Sequence, residues 1–373
     1  MRTKTEIKPD YYDDFSCSAG ACDFTCCQEW KIYVDDATQK KWENIAVPTS
    51  SLHCEEMLAD SVTEKEGDSV IRLQKGVCPF LDEKKLCRIV ITYGDDCLSE
   101  TCRVFPREIH KFQDREEKTL LMACPETINL LQARERFSLT CNVTEKSNAG
   151  LLFRLRSLFM DMIQDEASCG ESLMAIFFIA KSVLEEGSEI PGNEEIIQLR
   201  RQIASLPYNN EEHFSECNEL FLDLVYNYRE EGMYTKILTP LVPVAEKISQ
   251  EGISAEPALE RKTFAEQWLS HQNLMKKVLA GKIYGDLLME DYDGEDMLLK
   301  LQWLLMEYVL MRHLFYLSVE SGKEPSYENL RTCILVACRM MGYDDVDIRE
   351  YMESSFEEIV WQWGYFSLLS GKV

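Results

Sequence analysis

The uneven distribution of cysteine constrains this chain more than any other feature. Fifteen cysteines occur in 373 residues, and eleven of them (17, 22, 26, 27, 54, 78, 87, 97, 102, 124 and 141) fall at or before Cys141. Only Cys169, Cys217, Cys333 and Cys338 follow, each inside an apolar helical pattern where cysteine acts as a small hydrophobe. The total is odd, and the start MRTKTEIKPD has no apolar run after its basic residues. No secretory signal is therefore read, and a cytoplasmic protein is expected. In a reducing compartment such a segment points to metal binding or catalysis rather than to disulfides.

The densest cluster is Cys17-x4-Cys22-x3-Cys26-Cys27. Thiolates are soft ligands suited to zinc or iron–sulfur clusters, and close spacing lets one loop wrap a metal. Adjacent Cys26 and Cys27 point in different directions, so they serve two metal atoms more easily than one tetrahedral zinc. That favours a cluster of several irons, with zinc as the alternative. Cys78, Cys87, Cys102 and Cys124 supply four more candidate ligands, whereas Cys54, Cys97 and Cys141 read as spare thiols.

Residues 1–145 therefore read as an irregular, cysteine-rich metal module whose loops are fixed by ligands rather than by a large core. Within it, Trp30–Asp35 alternates like a short strand. Residues 146–373 read as an all-α domain. Apolar residues recur at helical spacing over Leu151–Asp165, Ser172–Glu186, Glu194–Leu206, Glu212–Glu231, Ala258–Ala280, Asp296–Ser321, Tyr327–Met341 and Ile348–Leu369. Asp347-x-x-Glu350 has the form of a capping box for the last helix. The expected fold is mainly α, the cysteine-rich module packing on the helical domain.

The most hydrophobic stretch, Leu301–Val319, carries Gln302, Glu307, Arg312 and His313, each costly in a bilayer. It reads as a buried core helix, and no membrane span is expected. The formal charge of −25, from 65 acidic and 40 basic residues, argues against a nucleic-acid partner. It suits a lysine-bearing protein substrate, and equally an acidity that only maintains solubility.

The string Tyr11-Tyr12-x-x-Phe15-x-Cys17-x4-Cys22-x3-Cys26-Cys27-x-x-Trp30-x-Ile32-x-Val34-Asp35 resembles the opening of the flagellin lysine N-methylase (FliB) family. The segments CPFL, LCRI, LSETCRVFPR and CPE follow in that family's order. The cysteine pattern is also similar to the YkgJ-type CxxCxxCC metal-binding group. The specific likeness covers roughly the first 130 residues, and the helical remainder resembles the family in architecture only. The resemblance implies a [4Fe–4S] cluster, S-adenosylmethionine as methyl donor and flagellin lysines, or those of another lysine-bearing protein, as acceptor.

In that setting three cysteine ligands would leave one iron open to the donor's amino-carboxylate, whereas four would make the cluster structural or electron-transferring. Arg103 and Arg107, just after Cys102, would pair with the donor carboxylate or offset cluster charge; surface roles are the alternative. Tyr11, Tyr12, Phe15, Trp30 and Phe80 would line a pocket that desolvates the lysine, or simply pack the metal site. His313 reads as a core histidine more readily than as a base. No G-x-G-x-x-G loop follows a predicted strand, and the C-x3-C-x2-C triplet of radical enzymes is missing. Sequence alone names no catalytic residue and no oligomeric state. The competing function is a non-enzymatic iron–sulfur or zinc protein, acting as a carrier or partner-binding module.

Overall fold

A computed structural model describes residues 5–48, 56–65, 67–142, 150–230, 234–251, 257–341, 345–356 and 359–372. The first half contains β1 (Thr5–Pro9), α1 (Asp36–Trp42), β2 (Val62–Lys65), β3 (Asp68–Ile71), α2 (Arg88–Tyr93), α3 (Glu100–Val104), β4 (Arg107–Lys111), β5 (Arg115–Leu120), α4 (Pro125–Gln132) and β6 (Leu139–Cys141). Four strands form one sheet in the order β4-β5-β1-β6, with β1 parallel to β5 and the other pairs antiparallel. β2 and β3 form a separate hairpin.

This sheet departs from the irregular module expected from sequence. Along β5 the buried face is Arg115, Glu117 and Thr119, so a test for alternating apolar residues passes over it. The buried Glu117 carboxylate is met by Arg156 at 2.7 Å, and Arg156 also donates to the Tyr284 carbonyl at 3.0 Å. Sheet and helices are thus joined by a paired, hydrogen-bonded charge, the form in which buried ions are tolerated. The segment Trp30–Asp35 is extended but is not a full strand. Ile32 and Val34 are buried, while Tyr33 points out and makes an isolated bridge to Val70.

The second half contains α5 (Leu151–Ile163), α6 (Cys169–Leu184), α7 (Asn193–Ser205), α8 (Asn210–Glu230), α9 (Thr235–Leu238), α10 (Val242–Glu251), α11 (Pro257–Asp286), α12 (Gly294–Glu320), α13 (Tyr327–Met340), α14 (Asp345–Phe356) and α15 (Trp363–Ser370). The molecule is mainly helical, as expected. α12 is the central helix: every residue from Met297 to Ser318 is buried, with α6, α8, α11, α13 and α15 packed around it. No helix among the described residues is long and apolar enough to cross a membrane.

Two expectations for this half change. The helix predicted over Ile348–Leu369 is two helices, α14 and α15, separated by a short turn at Ile359–Trp361. Trp361 and Trp363 both pack against the core, so the apolar periodicity runs on through the turn and hides it. α14 also begins at Asp345, ahead of the cap predicted at Asp347. Two helices of this half were not predicted: α9 is a single turn, and α10 carries Pro243 in its first turn, a residue that reads as a helix breaker.

One hydrophobic core runs from Tyr11, Leu120 and Phe137 through the helices to Leu369. A second, smaller core gathers Ile32, Val34, Trp42, Leu58, Ile71, Phe80 and Ile89 around buried Cys78. Cys169, Cys217, Cys333 and Cys338 are all buried in the helical core, as small hydrophobes should be. Cys54 lies outside the described residues.

Candidate metal-binding site

The smaller core organises the cysteines. Cys27, Cys87, Cys97 and Cys102 pack against it as partly buried residues beside Cys78. Local chemistry explains how each is held. The Cys78 amide donates to the Cys27 carbonyl at 2.8 Å, and Gln28 bridges to Val77. Leu81 pairs with Cys87, which opens α2, and the Cys102 amide is capped by the Ser99 hydroxyl at 3.3 Å. Asp35 accepts from both Thr38 (2.9 Å) and Glu100 (3.0 Å), so one carboxylate caps α1 and steadies the start of α3.

The Cys17–Cys27 loop is shaped by the turn at residues 82–86. A Cβ on Gly20 would lie 2.6 Å from the Lys84 carbonyl oxygen, so only glycine permits that approach. Lys85 reaches across to the Cys22 carbonyl at 3.0 Å.

Five of the eight candidate thiols share one electrostatic neighbourhood. Burial raises Cys78 well above the usual thiol value, raises Cys87, and pushes Cys102 up to about 11. In each case Cys27 adds to the shift, joined by other thiols of this group at Cys78 and Cys102. Cys26 shares a hydrogen bond with Cys27, which pulls Cys27 down to about 7 and drives Cys26 upward. Cys22 and Cys124 form a second pair: Cys124, raised by burial, also feels the charge of Cys22. Cys17 is exposed, its sulfur accepting from the Ala19 amide at 3.4 Å. The grouping is looser than a closed coordination shell. Among the described residues no three His, Cys, Asp or Glu side chains converge closely enough to hold one ion.

The two arginines singled out from sequence lie at the surface. Arg103 is 54% exposed along its side chain and pairs with Glu100 at 3.7 Å, and Arg107 stacks 4.8 Å over Phe15. A further cation, Arg339, is set among the thiols, and its charge favours the ionised forms of Cys26 and Cys27. Sequence reading missed it. It lies more than 300 positions from the loop it touches, flanked by buried Cys338 and Met340, and carries no local motif.

The aromatic residues divide between the two cores. Trp30 donates to the Cys26 carbonyl at 2.7 Å, and Phe80 packs edge-on to Trp42, so these two do line the cysteine site. Tyr11, Tyr12 and Phe15 belong to the larger core. His313 is a core histidine: burial lowers it to about 3, and its Nε2 is 3.1 Å from Asn218 Oδ1.

Comparison with known proteins decides the family. Residues 156–369 match the FliB lysine N-methylase C-terminal domain. This chain belongs to that family. The match covers the helical half, which the residues alone tied to the family only by architecture. The flagellar biosynthetic protein FliU of Salmonella muenchen is 35% identical over 128 residues, 34% of this chain and 76% of that protein. A lysine-N-methylase of Salmonella choleraesuis (strain SC-B67) is 36% identical over 130 residues, and one of Salmonella typhimurium is 35% identical over 128. Each of these alignments spans 34% of this chain and 32% of the methylase. No solved structure matches the chain.

Proposed function

We propose that the chain is a protein-lysine N-methyltransferase that carries a cysteine-ligated [4Fe–4S] cluster, takes methyl groups from S-adenosylmethionine and acts on flagellin. The observation that carries this reading is its kinship with proteins named lysine-N-methylase, at 35–36% identity. In this reading residues 1–145 form the metal module and residues 146–373 the helical domain behind it. Five grouped thiols beside a buried guanidinium fit the group chemically, since soft ligands bind iron–sulfur clusters and a nearby cation offsets their charge. Three of Cys26, Cys27, Cys78, Cys87 and Cys102 would supply the ligands, with Cys17, Cys22 and Cys124 the remaining thiols of the candidate set. A cluster with one open iron would supply a site for the donor's amino and carboxylate groups.

Methyl transfer needs a neutral lysine amine, whose free pKa is near ~10.4. The amine lone pair forms the N–C bond as the sulfonium S–C bond breaks. S-adenosylhomocysteine leaves as a neutral thioether, and the new ammonium later loses its proton to solvent. His313 does not serve as the base, because it is buried and hydrogen-bonded within the helical core. The net charge of −25 favours approach of a lysine-bearing segment.

The test is to incubate anaerobically purified protein with flagellin and methyl-labelled S-adenosylmethionine. Label should appear on lysine side chains. Cys27→Ser should lower iron and sulfide content together with transfer, whereas Cys338→Ala should leave both near wild type. Stoichiometric zinc without acid-labile sulfide, and no transfer, would replace this reading with a non-enzymatic metal protein.

A further inference from the structure

We propose that Arg339, from α13, is the positioning residue of the cysteine site. It holds the Phe24–Cys27 backbone in place and supplies the positive charge that faces Cys22, Cys26 and Cys124. The inference rests on reading those cysteines as part of a metal site.

Its hydrogen bonds converge on the two cysteine-bearing segments. The two terminal nitrogens of the guanidinium donate to the adjacent carbonyls of Phe24 and Thr25, each at 2.9 Å. Nε donates to the Ala123 carbonyl at 3.0 Å, immediately before Cys124. One planar fork therefore ties the residues that precede Cys26 to the residue that precedes Cys124. A lysine ammonium, a single point of charge on a flexible stem, cannot reproduce this. Phe24 lies 4.3 Å and Trp30 5.2 Å from the guanidinium carbon, and Trp30 itself donates to the Cys26 carbonyl. The group is stacked, forked and only 6% exposed.

The charge has a second meaning. All three acceptors are neutral carbonyls, and among the described residues no carboxylate forms an ion pair with this buried cation. Among the described residues the ionisable groups that act on it most are Tyr234, Cys26, Cys124 and Cys22. A buried cation costs free energy unless an anion stands near it. Thiolates carrying a metal–sulfur centre are that anion. α13 keeps an independent hold on the same region. Arg331 pairs with Asp23, and Arg331 and Tyr327 both donate to Asn129. Loss of Arg339 should loosen the loop without detaching the helix.

The experiment compares the full-length protein, purified anaerobically, with Arg339→Met and Arg339→Lys. Amide hydrogen exchange over residues 22–30 should be on the order of tenfold faster in Arg339→Met, as for loss of a charge-assisted hydrogen bond. Residues 327–340 should stay protected. The midpoint potential of the cluster should become more negative in Arg339→Met, since reduction adds negative charge beside a lost cation. Arg339→Lys should restore the potential but not the protection of the loop. Unchanged exchange over residues 22–30 would overturn the inference, as would an unchanged potential. Should Arg339→Met also expose residues 327–340, Phe24→Leu decides. It removes the stacked ring and leaves α13 intact, and exchange around Cys26 that does not rise would equally overturn the inference. A wild-type protein without iron and sulfide would sink the cluster reading alone, because the exchange measurement judges Arg339 without reference to metal.

Discussion

His313 sits in the C-terminal part of the central helix α12, only 3% exposed, and its burial has a consequence for stability. Desolvation and the charge of Arg312 lower its folded pKa from 6.5 to about 3. Between those values the unfolded chain takes up a proton that the folded chain refuses. Stability therefore rises with pH across this window and is lost as pH falls below 6.5. The slope from one such group approaches ~1.4 kcal/mol per pH unit. Glu307, pushed up to about 7 by burial, works in the opposite sense, being protonated in the folded chain before the unfolded one. The difference between wild type and His313→Gln thus isolates the histidine. Urea midpoints measured from pH 7 to pH 4.5 should fall less steeply in the variant, whose amide can still donate to Asn218. Parallel curves would show that His313 does not titrate this way. The residue was legible in sequence as a core histidine because a polar group amid Leu301–Val319 has few other places to go. Its partner Asn218, 95 positions away, was not.

Elements meet most tightly where two glycines coincide. α6 begins against the last residues of α15, and a Cβ on Gly170 would lie 1.8 Å from the Gly371 carbonyl oxygen and 2.5 Å from that of Ser370. Both obstacles are backbone, so neither can swing aside. Gly170→Ala should destabilise the protein by about 3 kcal/mol, the upper end of the overpacking range. Gly364, with nothing within 4 Å of its virtual Cβ, is the control. Gly364→Ala should be neutral or stabilising by up to ~1 kcal/mol, because alanine loses less backbone freedom in a helix. Chemical denaturation of the pair measures the difference, and equal effects would mean that the α6–α15 contact is looser than described. Helical periodicity located α6 within a few residues, but a glycine's packing partner has no local signature. The same limit applies to β5, whose alternation is real but whose buried face is polar.

At the scale of the whole molecule, the strongest long-range term is the charge of −25. Attraction between this surface and a lysine-rich acceptor is screened over ~8 Å at physiological ionic strength. Under the proposed function, added salt should therefore raise the KM for flagellin while leaving kcat near its low-salt value, since screening acts on encounter rather than on the bound complex. Initial-rate measurements from 25 mM to 300 mM potassium chloride would test this. A salt-independent KM would mean that the acidity serves solubility alone. The two halves are held together by the shared core, by Tyr284 of α11 donating to the Ile7 carbonyl at 2.9 Å and by the buried Arg156–Glu117 pair.

Local chemistry was enough to show the cysteine-rich first half, the helical second half, the buried nature of α12 and the apolar role of Cys169, Cys217, Cys333 and Cys338. Each of these depends on composition or on periodicity within one element, and periodicity is written directly in the residues. Which thiols stand together was decided by tertiary structure. Cys27, Cys78, Cys87 and Cys102 meet because a strand-like segment, a hairpin and two short helices close around one small core. Arg339 reaches the loop for the same reason, across a separation that no spacing rule describes. Long-range pairing of this kind arises from shape and burial, which the chain acquires only when all its elements pack at once.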